Sequence, residues 1–201
     1  MTLWALVADV HGRGDRLARV LADCRAQGAT RVLALGDIAS ANALELLRGA
    51  EATCVFGNWE ASGLRGLPNP YRGWVSHWPA RLTFPGFMIA HASPVWPANL
   101  AIAGVVDYLR AENLHWTGLF PSLQRSEEAR WAAFAELEAS NTPLLFHGHT
   151  HVQEAWCWSD GGAPRRIAGE QVILRPGQGE RWLVGVGSAG EPHDGPGSAY
   201  A

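Results

Sequence analysis

The stretch Phe146-His147-Gly148-His149-Thr150-His151 places three of the chain's eight histidines within five residues. The short apolar run at 143–146 predicts a buried strand, so the histidines lie where a strand gives way to a turn. Gly148 lets the backbone bend there at no steric cost. In extended geometry His149 and His151 would project from one face, which suits two imidazoles that meet one metal cluster. Solvated or hydrogen-bonded loop histidines are the alternative interpretation.

Composition indicates an ordinary globular protein, expected as a single domain over residues 1–201. Hydrophobic residues make up 47% of the chain and charged residues 17%, as in typical soluble domains. The net charge of −3 and the lack of a basic block argue against a large nucleic-acid interface. The three cysteines have no metal-binding spacing and predict free thiols in a reducing compartment. With no signal peptide and no membrane-length apolar run, we expect a cytoplasmic protein without membrane contact.

The first third of the chain alternates predicted strands and helices. Strands are expected at 3–8, 31–35 and 51–56, with helices at 14–28 and 42–48 between them. This βαβαβ order predicts a parallel sheet with right-handed crossovers. Ligands of such sheets bind at the carboxyl ends of the strands.

Polar side chains follow each of these strands at its carboxyl end. Asp9 and His11 follow the first strand, Asp37 the second and Asn58 the third. A fourth strand, expected at 87–90, ends at His91. Because these ends meet at one edge of a sheet, we expect these side chains to lie close together.

The remaining segments are less regular. Residues 93–141 lack strand signal and contain two predicted helices, at 100–109 and 126–137. This segment is expected to be a helical insert or a cap over the site. Strands at 153–158, 171–175 and 181–186 predict an antiparallel addition.

The polar residues at the strand ends form a mixed oxygen and nitrogen donor set without a thiolate. Such a set suits Mn²⁺, Fe, Zn²⁺, Co²⁺ or Ni²⁺ better than a structural zinc or a Ca²⁺ cage. Seven donors exceed the need of one ion, so two ions with a shared carboxylate are expected; a pair of metals can clamp both oxygens of a phosphoryl displacement. The predicted ligands are Asp9, His11, Asp37, Asn58, His91, His149 and His151.

These motifs, in this order, resemble the calcineurin-like metallophosphoesterase superfamily. They are Asp9-x-His11, Gly36-Asp37, Gly57-Asn58, His91-Ala92 and Gly148-His149-Thr150-His151. The tail at 187–195 is similar to that of the small prokaryotic phosphodiesterase branch. The resemblance implies an α/β fold with two facing mixed β-sheets flanked by helices, an α/β/β/α sandwich.

The resemblance also implies a role for each donor. Asp9, His11 and His151 would bind the first ion, and Asn58, His91 and His149 the second. Asp37 would bridge the two ions, which are expected to be Mn²⁺, with Fe, Zn, Ni or Co as alternatives. A hydroxide held between the ions would attack the phosphorus, and Asp37, Asn58 and His91 would be the catalytic residues.

Two departures from the superfamily pattern bear on the substrate. Many members carry His after the Asn, but Trp59 stands there and cannot act as an acid near neutral pH. The loss favours phosphodiesters with good leaving groups, and a phosphomonoesterase acting on nucleotides or phosphoproteins is the alternative. His193 stands where the branch usually has Arg. A non-catalytic scaffold is a third interpretation, but it predicts that some of the seven metal-binding residues have been replaced.

Other residues leave two interpretations open. Arg13 could reach a substrate phosphate or face solvent, and His147 could support the ligands from behind or bind metal directly. Ten tryptophans are unusual for this length. They could form a Trp-rich core or a surface through which a homo-oligomer assembles.

Overall fold

The computed structural model describes residues 2–159, 161–168 and 173–201. Over these residues the chain alternates strands and helices before it ends in an antiparallel region. The elements are β1 (Trp4–Val7), α1 (Gly14–Ala26), β2 (Arg31–Ala34), α2 (Ala41–Gly49), β3 (Thr53–Cys54), α3 (Asn58–Gly63), α4 (Asn69–Val75), β4 (Arg81–Phe84), β5 (Phe87–Ala90), α5 (Val105–Ala111), α6 (Trp116–Leu119), α7 (Glu127–Ala139), β6 (Leu144–His147), β7 (Gln153–Trp158), β8 (Arg165–Ala168) and β9 (Arg181–Val186).

The first sheet contains β1, β2 and β3 in that order, and both pairs of strands are parallel. Leu6 of β1 lies opposite Leu33 of β2. The connections run through α1 and α2, and α1 buries an apolar stripe that includes Leu17 and Leu21. The βαβαβ prediction is confirmed, and the carboxyl ends of the three strands meet at one edge.

The second sheet has six strands in the order β4-β5-β6-β9-β7-β8. Its centre is parallel, because β5 pairs with β6 and β6 with β9 in the same direction. The pairs β4–β5, β7–β9 and β7–β8 are antiparallel. The last strands therefore form the antiparallel addition that the sequence predicts.

The two sheets face each other across a shared apolar layer. Leu6 and Leu33 of the first sheet pack in one cluster with Ile89 and Val186 of the second. Each such side chain contributes about 1.5–3 kcal/mol when fully buried. Helices cover the outer faces: α1, α2, α3 and α5 on the first sheet, and α7 with Phe134 on the second. The predicted sandwich of two sheets flanked by helices is confirmed.

Residues 93–141 contribute to the core through all three of their α-helices. Val105 of α5 and Leu119 of α6 pack in the helical layer of the first sheet. Phe134 and Leu137 of α7 pack against the second sheet. The segment therefore supplies packing for both halves of the sandwich.

Several elements differ from the sequence prediction. β4 was not predicted, because its mixture of charged and apolar residues at a sheet edge gives a weak strand signal. α3 and β8 were also not predicted. The strand predicted at 171–175 begins outside the described residues, since 171 and 172 are not described, and residues 173–175 carry no strand.

The cysteines and tryptophans are mostly enclosed. Cys24, Cys54 and Cys157 are free and buried. Of the ten tryptophans, Trp59 and Trp131 alone are among the exposed large apolar residues, so the described part of the chain gives a Trp-mediated homo-oligomer no support. None of the helices described here combines enough length with enough apolar character to cross a bilayer. A cytoplasmic location remains a prediction from the sequence.

Candidate metal centre

Three side chains from two distant parts of the chain form a first donor group. Asp9 and His11 follow β1, and His151 follows β6. The Nε2 atoms of His11 and His151 lie 3.1 Å apart, and Asp9 Oδ1 lies 3.4 Å from His151 Nε2 and 3.8 Å from His11 Nε2. Donors bound about 2.1 Å from one ion stand about 3 to 3.5 Å from each other. The first group therefore has nearly the spacing that one ion requires.

A second donor group lies beside the first. Asp37, His91 and His149 bring one donor atom each within 4.8 Å of the others. Asp37 Oδ2 lies 3.4 Å from His91 Nε2, and Asn58 Oδ1 lies 3.2 Å from the same nitrogen. The structure thus brings together all four residues predicted for the second ion and its bridge.

One carboxylate oxygen connects the two groups. Asp37 Oδ2 is 3.4 Å from His91 Nε2 in the second group and 3.9 Å from His11 Nε2 in the first. Its other oxygen, Oδ1, accepts a hydrogen bond of 2.9 Å from the backbone N–H of Trp59. Asp37 is therefore placed as a bridging carboxylate would be.

Five of the predicted ligands adopt left-handed backbone conformations, which are uncommon outside glycine. The φ angles are 53° at Asp9, 47° at His11, 57° at Asp37, 66° at His149 and 59° at His151. Each costs on the order of 1 kcal/mol or more and persists only where the surroundings enforce it. The expected extended geometry of His149 and His151 is therefore wrong. The turned backbone sends His151 to the first group and His149 to the second.

Backbone carbonyl groups orient two of the imidazoles. His151 Nδ1 lies 2.6 Å from the carbonyl oxygen of Glu191, and His91 Nδ1 lies 2.7 Å from that of Leu35. Because a carbonyl oxygen only accepts, each Nδ1 carries the proton and donates it. In the neutral imidazole, each Nε2 then has its lone pair directed at the donor groups, as metal-binding histidines require.

An unpaired buried oxygen also fits a metal site. Asp9 Oδ2 accepts a hydrogen bond of 2.8 Å from the backbone N–H of His149, but the buried Oδ1 has no hydrogen-bond partner among the described residues. Leaving a buried carboxylate oxygen unpaired costs free energy. A divalent ion would satisfy it, so the residues present fit two such ions.

The charges within the groups are balanced by protons when no ion is bound. Burial raises the pKa of Asp9, but the rings of His11 and His151 outweigh this and leave the pKa below its ordinary value. Burial lowers the pKa of His91, yet the Asp37 carboxylate raises it overall to about 10. Burial and the nearby His91 lower the pKa of His149 to about 4. A cation bound here would replace the proton on His91.

The geometry agrees with a known family. A model of the calcineurin-like phosphoesterase superfamily domain matches residues 1–201. The chain belongs to the calcineurin-like phosphoesterase superfamily. This superfamily uses a dinuclear centre of divalent metals, and membership indicates a phosphohydrolase.

A solved metallophosphoesterase structure shares the fold, and other phosphoesterase structures align with lower TM-scores. A metallophosphoesterase from Sphaerobacter thermophilus aligns with a TM-score of 0.71 and 22% identity over 98% of this chain and 82% of that chain. Yfce, a phosphoesterase from E. coli, aligns with a TM-score of 0.47 and 16% identity over 98% and 85% of the two chains. A dimetal phosphatase from Danio rerio has a TM-score of 0.47 and 14% identity over 94% and 88%. No curated protein sequence matches this chain.

Two residues singled out in the sequence of this calcineurin-like phosphoesterase lie outside both donor groups. Arg13 precedes α1, is exposed, and has its Nε atom 4.0 Å from Asp15 Oδ1. His147 is fully buried, and its Nδ1 lies 2.9 Å from the carbonyl oxygen of Gly148. His147 is therefore placed to support the turn that carries His149.

Glu60 supports the loop that carries Asp37, although from the sequence alone it could support Asn58 or face water. Its buried carboxylate accepts hydrogen bonds from the backbone N–H groups of Asp37 (2.8 Å), Ile38 (2.7 Å) and Gly57 (2.9 Å). Burial and the charge of Asp37 raise the pKa of Glu60 above its usual value, against the effect of these bonds. The sequence signal that could have identified this role is the position of Glu60, three residues after the glycine at which α3 begins.

The first turn of α3 serves both donor groups. Asn58 reaches the second group, the indole of Trp59 lies beside His11, and Glu60 returns to the loop of Asp37. Gly57 makes this close approach feasible, because a Cβ there would lie 2.1 Å from Asp37 Oδ1.

The sequence analysis gave Ser188 no role of its own, although this residue lies in the tail at 187–195. Its buried hydroxyl donates to the carbonyl oxygen of Asp9 (2.7 Å) and accepts from the N–H of Glu191 (2.7 Å). The glycine-rich loop that contains it packs against the end of β1: a Cβ at Gly190 would lie 1.9 Å from the carbonyl oxygen of Val10. This loop therefore supports the first donor group through hydrogen bonds with the backbone of Asp9, and the Arg16 side chain donates to its Gly190 carbonyl oxygen.

Proposed function

We propose that this chain is a phosphodiesterase that depends on two divalent ions, with Mn²⁺ as the preferred metal. The observation that carries the proposal is the position of Asp37 Oδ2, between His91 Nε2 at 3.4 Å and His11 Nε2 at 3.9 Å. One oxygen shared by two donor groups serves a pair of ions rather than a single one. The donors are oxygen and nitrogen atoms, which suit Mn²⁺.

Seven residues would hold the ions. Asp9, His11 and His151 would bind the first ion, and Asn58, His91 and His149 the second, with Asp37 shared. When bound, such ions lower the pKa of water and neutralise charge on phosphate oxygens. The protein's own contribution is to fix the donors: Leu35 and Glu191 set two imidazole tautomers.

Three of these residues are also the proposed catalytic groups. Asp37, Asn58 and His91 lie close together, and Asp37 and His91 are buried. Because Glu60 and the N–H of Trp59 hold the Asp37 loop and carboxylate, these groups need no rearrangement during the reaction. Arg13, exposed at the start of α1, is the proposed contact for the substrate's phosphate.

Trp59 supports a preference for diesters. It occupies the position after Asn58, beside His11, where many relatives carry a histidine. An indole N–H donates hydrogen bonds but does not release its proton near neutral pH. The departing oxygen therefore receives no proton from this position, which favours good leaving groups.

The proposal is tested by measuring turnover of bis(p-nitrophenyl) phosphate and p-nitrophenyl phosphate, which share a leaving group, with Mn²⁺ added. We expect the diester to be hydrolysed faster, and the purified protein to contain about two metal ions per chain. A faster monoester would indicate a phosphomonoesterase. No turnover with Mn²⁺, Fe, Zn²⁺, Co²⁺ or Ni²⁺ would contradict the enzyme assignment and favour a scaffold.

A further inference from the structure

Four aromatic rings form a row across the first donor group. The rings of Trp59 and His11 have centroids 4.8 Å apart and nearly perpendicular planes, at 83°. His11 and His151 are also 4.8 Å apart, and His193 stacks on His151 at 4.5 Å with 22° between the planes. The two inner rings carry metal-binding nitrogen atoms. The outer two, Trp59 and His193, do not belong to either donor group.

The outer rings are exposed, whereas the inner rings are enclosed. Trp59 is 51% exposed, while the side chains of His11 and His151 are only 6% and 12% exposed. A large apolar side chain gains little by facing water. An exposed tryptophan beside the first donor group therefore indicates a contact surface. The backbone of Trp59 is fixed by its bond to Asp37 and by α3, so the indole is held in place next to the site.

We propose that Trp59 is an aromatic subsite, on which an aryl group or a nucleobase of the ester substrate stacks while its phosphate lies at the two donor groups. The inference rests on the proposed function and specifies its substrate class. Because Trp59 contacts His11, a substrate held at the first group must lie beside the indole. Stacking tolerates any flat π-system, so the subsite selects aromatic over aliphatic esters without reading one base.

His193 is a weaker candidate for the same role. One face of its imidazole is already covered by His151, at a centroid distance of 4.5 Å. An imidazole also offers less stacking area than an indole. We therefore expect the aromatic preference to depend on Trp59 first and on His193 second.

The test compares two diesters that share a leaving group: phenyl p-nitrophenyl phosphate and methyl p-nitrophenyl phosphate. In the metal-loaded wild-type protein we expect kcat/KM to favour the phenyl ester by about tenfold, within the range of one aromatic stack. Trp59→Ala should bring the ratio close to one, and Trp59→Tyr should restore most of it. Trp131→Ala removes the other exposed tryptophan, on α7, and should leave the ratio unchanged.

A binding measurement provides a second readout that needs no turnover. Calorimetric titration of phenylphosphonate and methylphosphonate into the metal-loaded protein should show the same tenfold preference for the phenyl compound.

A third ester, thymidine 5′-p-nitrophenyl phosphate, distinguishes a nucleobase from a simple aryl group in the turnover assay. A kcat/KM larger than that of the phenyl ester would point to nucleotides.

The outcomes separate the subsite from the proposed function. Turnover with a phenyl preference that survives Trp59→Ala would overturn the subsite and leave the phosphodiesterase intact. A Trp59-dependent phenylphosphonate preference without turnover of any ester would support the subsite and overturn the phosphodiesterase. The absence of both turnover and any phenyl preference would overturn both.

Discussion

The two donor groups have similar chemistry but different surroundings. In the first, Asp9 is buried, and the largely enclosed rings of His11 and His151 lie next to the exposed rings of Trp59 and His193. In the second, Asp37 and His91 are buried and His149 is partly buried, with no exposed ring beside them among the described aromatic contacts. Similar ligands thus serve one group that is bordered by exposed rings and another that is bordered by the core.

The difference follows from the elements that border each group. Phe120, at the end of α6, lies 6.0 Å from the ring of His91 and 6.4 Å from that of His149, and it packs in the core with Phe56. The first group is bordered instead by the Trp59 indole and by the tail after β9. A substrate therefore has access from the side of the first group, while Phe120 covers the second.

The largest effect is expected at the residue that both groups share. Asp37→Ala removes the only carboxylate oxygen that, among the described residues, lies within 4 Å of histidines from both groups. Loss of a supporting partner alone costs about 10–100-fold, so loss of the bridge should lower turnover by more than about a hundredfold. Metal analysis should show that both ions are depleted.

Asp107→Ala is the matched control, because Asp107 is an exposed carboxylate on α5. It should retain wild-type metal content and turnover. If the Asp37→Ala protein kept two ions per chain, Asp37 would not be the bridge that joins the two donor groups.

The next effect separates the groups through two neighbouring histidines. His151→Ala should deplete the ion of the first group and His149→Ala that of the second, since the turned backbone sends the rings apart. Each variant should retain about one ion per chain and lose more than about tenfold in turnover. His115→Ala, which removes an exposed histidine before α6, should change neither quantity. Equal depletion of both ions in either variant would show that the groups are not separable.

The sequence predicted which residues meet, because that follows from topology. Asp9, Asp37 and Asn58 come after consecutive strands, and the parallel order of β1, β2 and β3 brings their carboxyl ends together. The order of motifs then placed His91 and His149 in the same centre. These inferences needed only the positions of the strand ends and the order of the motifs.

The sequence did not predict how the ligands are held. Ser188 lies 179 residues from Asp9, and no periodic pattern relates a serine in a glycine-rich loop to a strand so far away. The left-handed backbone at His149 was also missed, because a non-glycine residue rarely adopts it and only tertiary contacts enforce it. The exposure of Trp59 likewise depends on α3, which the pattern did not reveal.

A smaller effect on both groups is expected at Glu60. Glu60→Ala leaves the N–H groups of Asp37, Ile38 and Gly57 without their acceptor in a buried setting. Each unsatisfied donor costs about 1–3 kcal/mol, so unfolding free energy should fall by about 3 kcal/mol or more. Denaturant unfolding measures this, and affinity for both ions should decrease together.

Glu112→Ala, at the exposed end of α5, is the control and should change the free energy of unfolding by less than about 0.5 kcal/mol. If Glu60→Ala were as stable as this control, the carboxylate would not hold the Asp37 loop.

The smallest effect should be confined to the first donor group. Ser188→Ala removes the hydroxyl that ties the carbonyl of Asp9 to the N–H of Glu191, whose own carbonyl orients His151. The affinity of the first ion should fall by about tenfold, at the low end for a residue that supports a ligand, because the direct bond between His151 and Glu191 is not removed. The second ion should bind as in the wild type, since Leu35 and Phe120 are untouched. A metal titration that resolves the two sites measures both affinities. An equal loss of affinity at the two sites would mean that the tail supports both donor groups rather than the first alone.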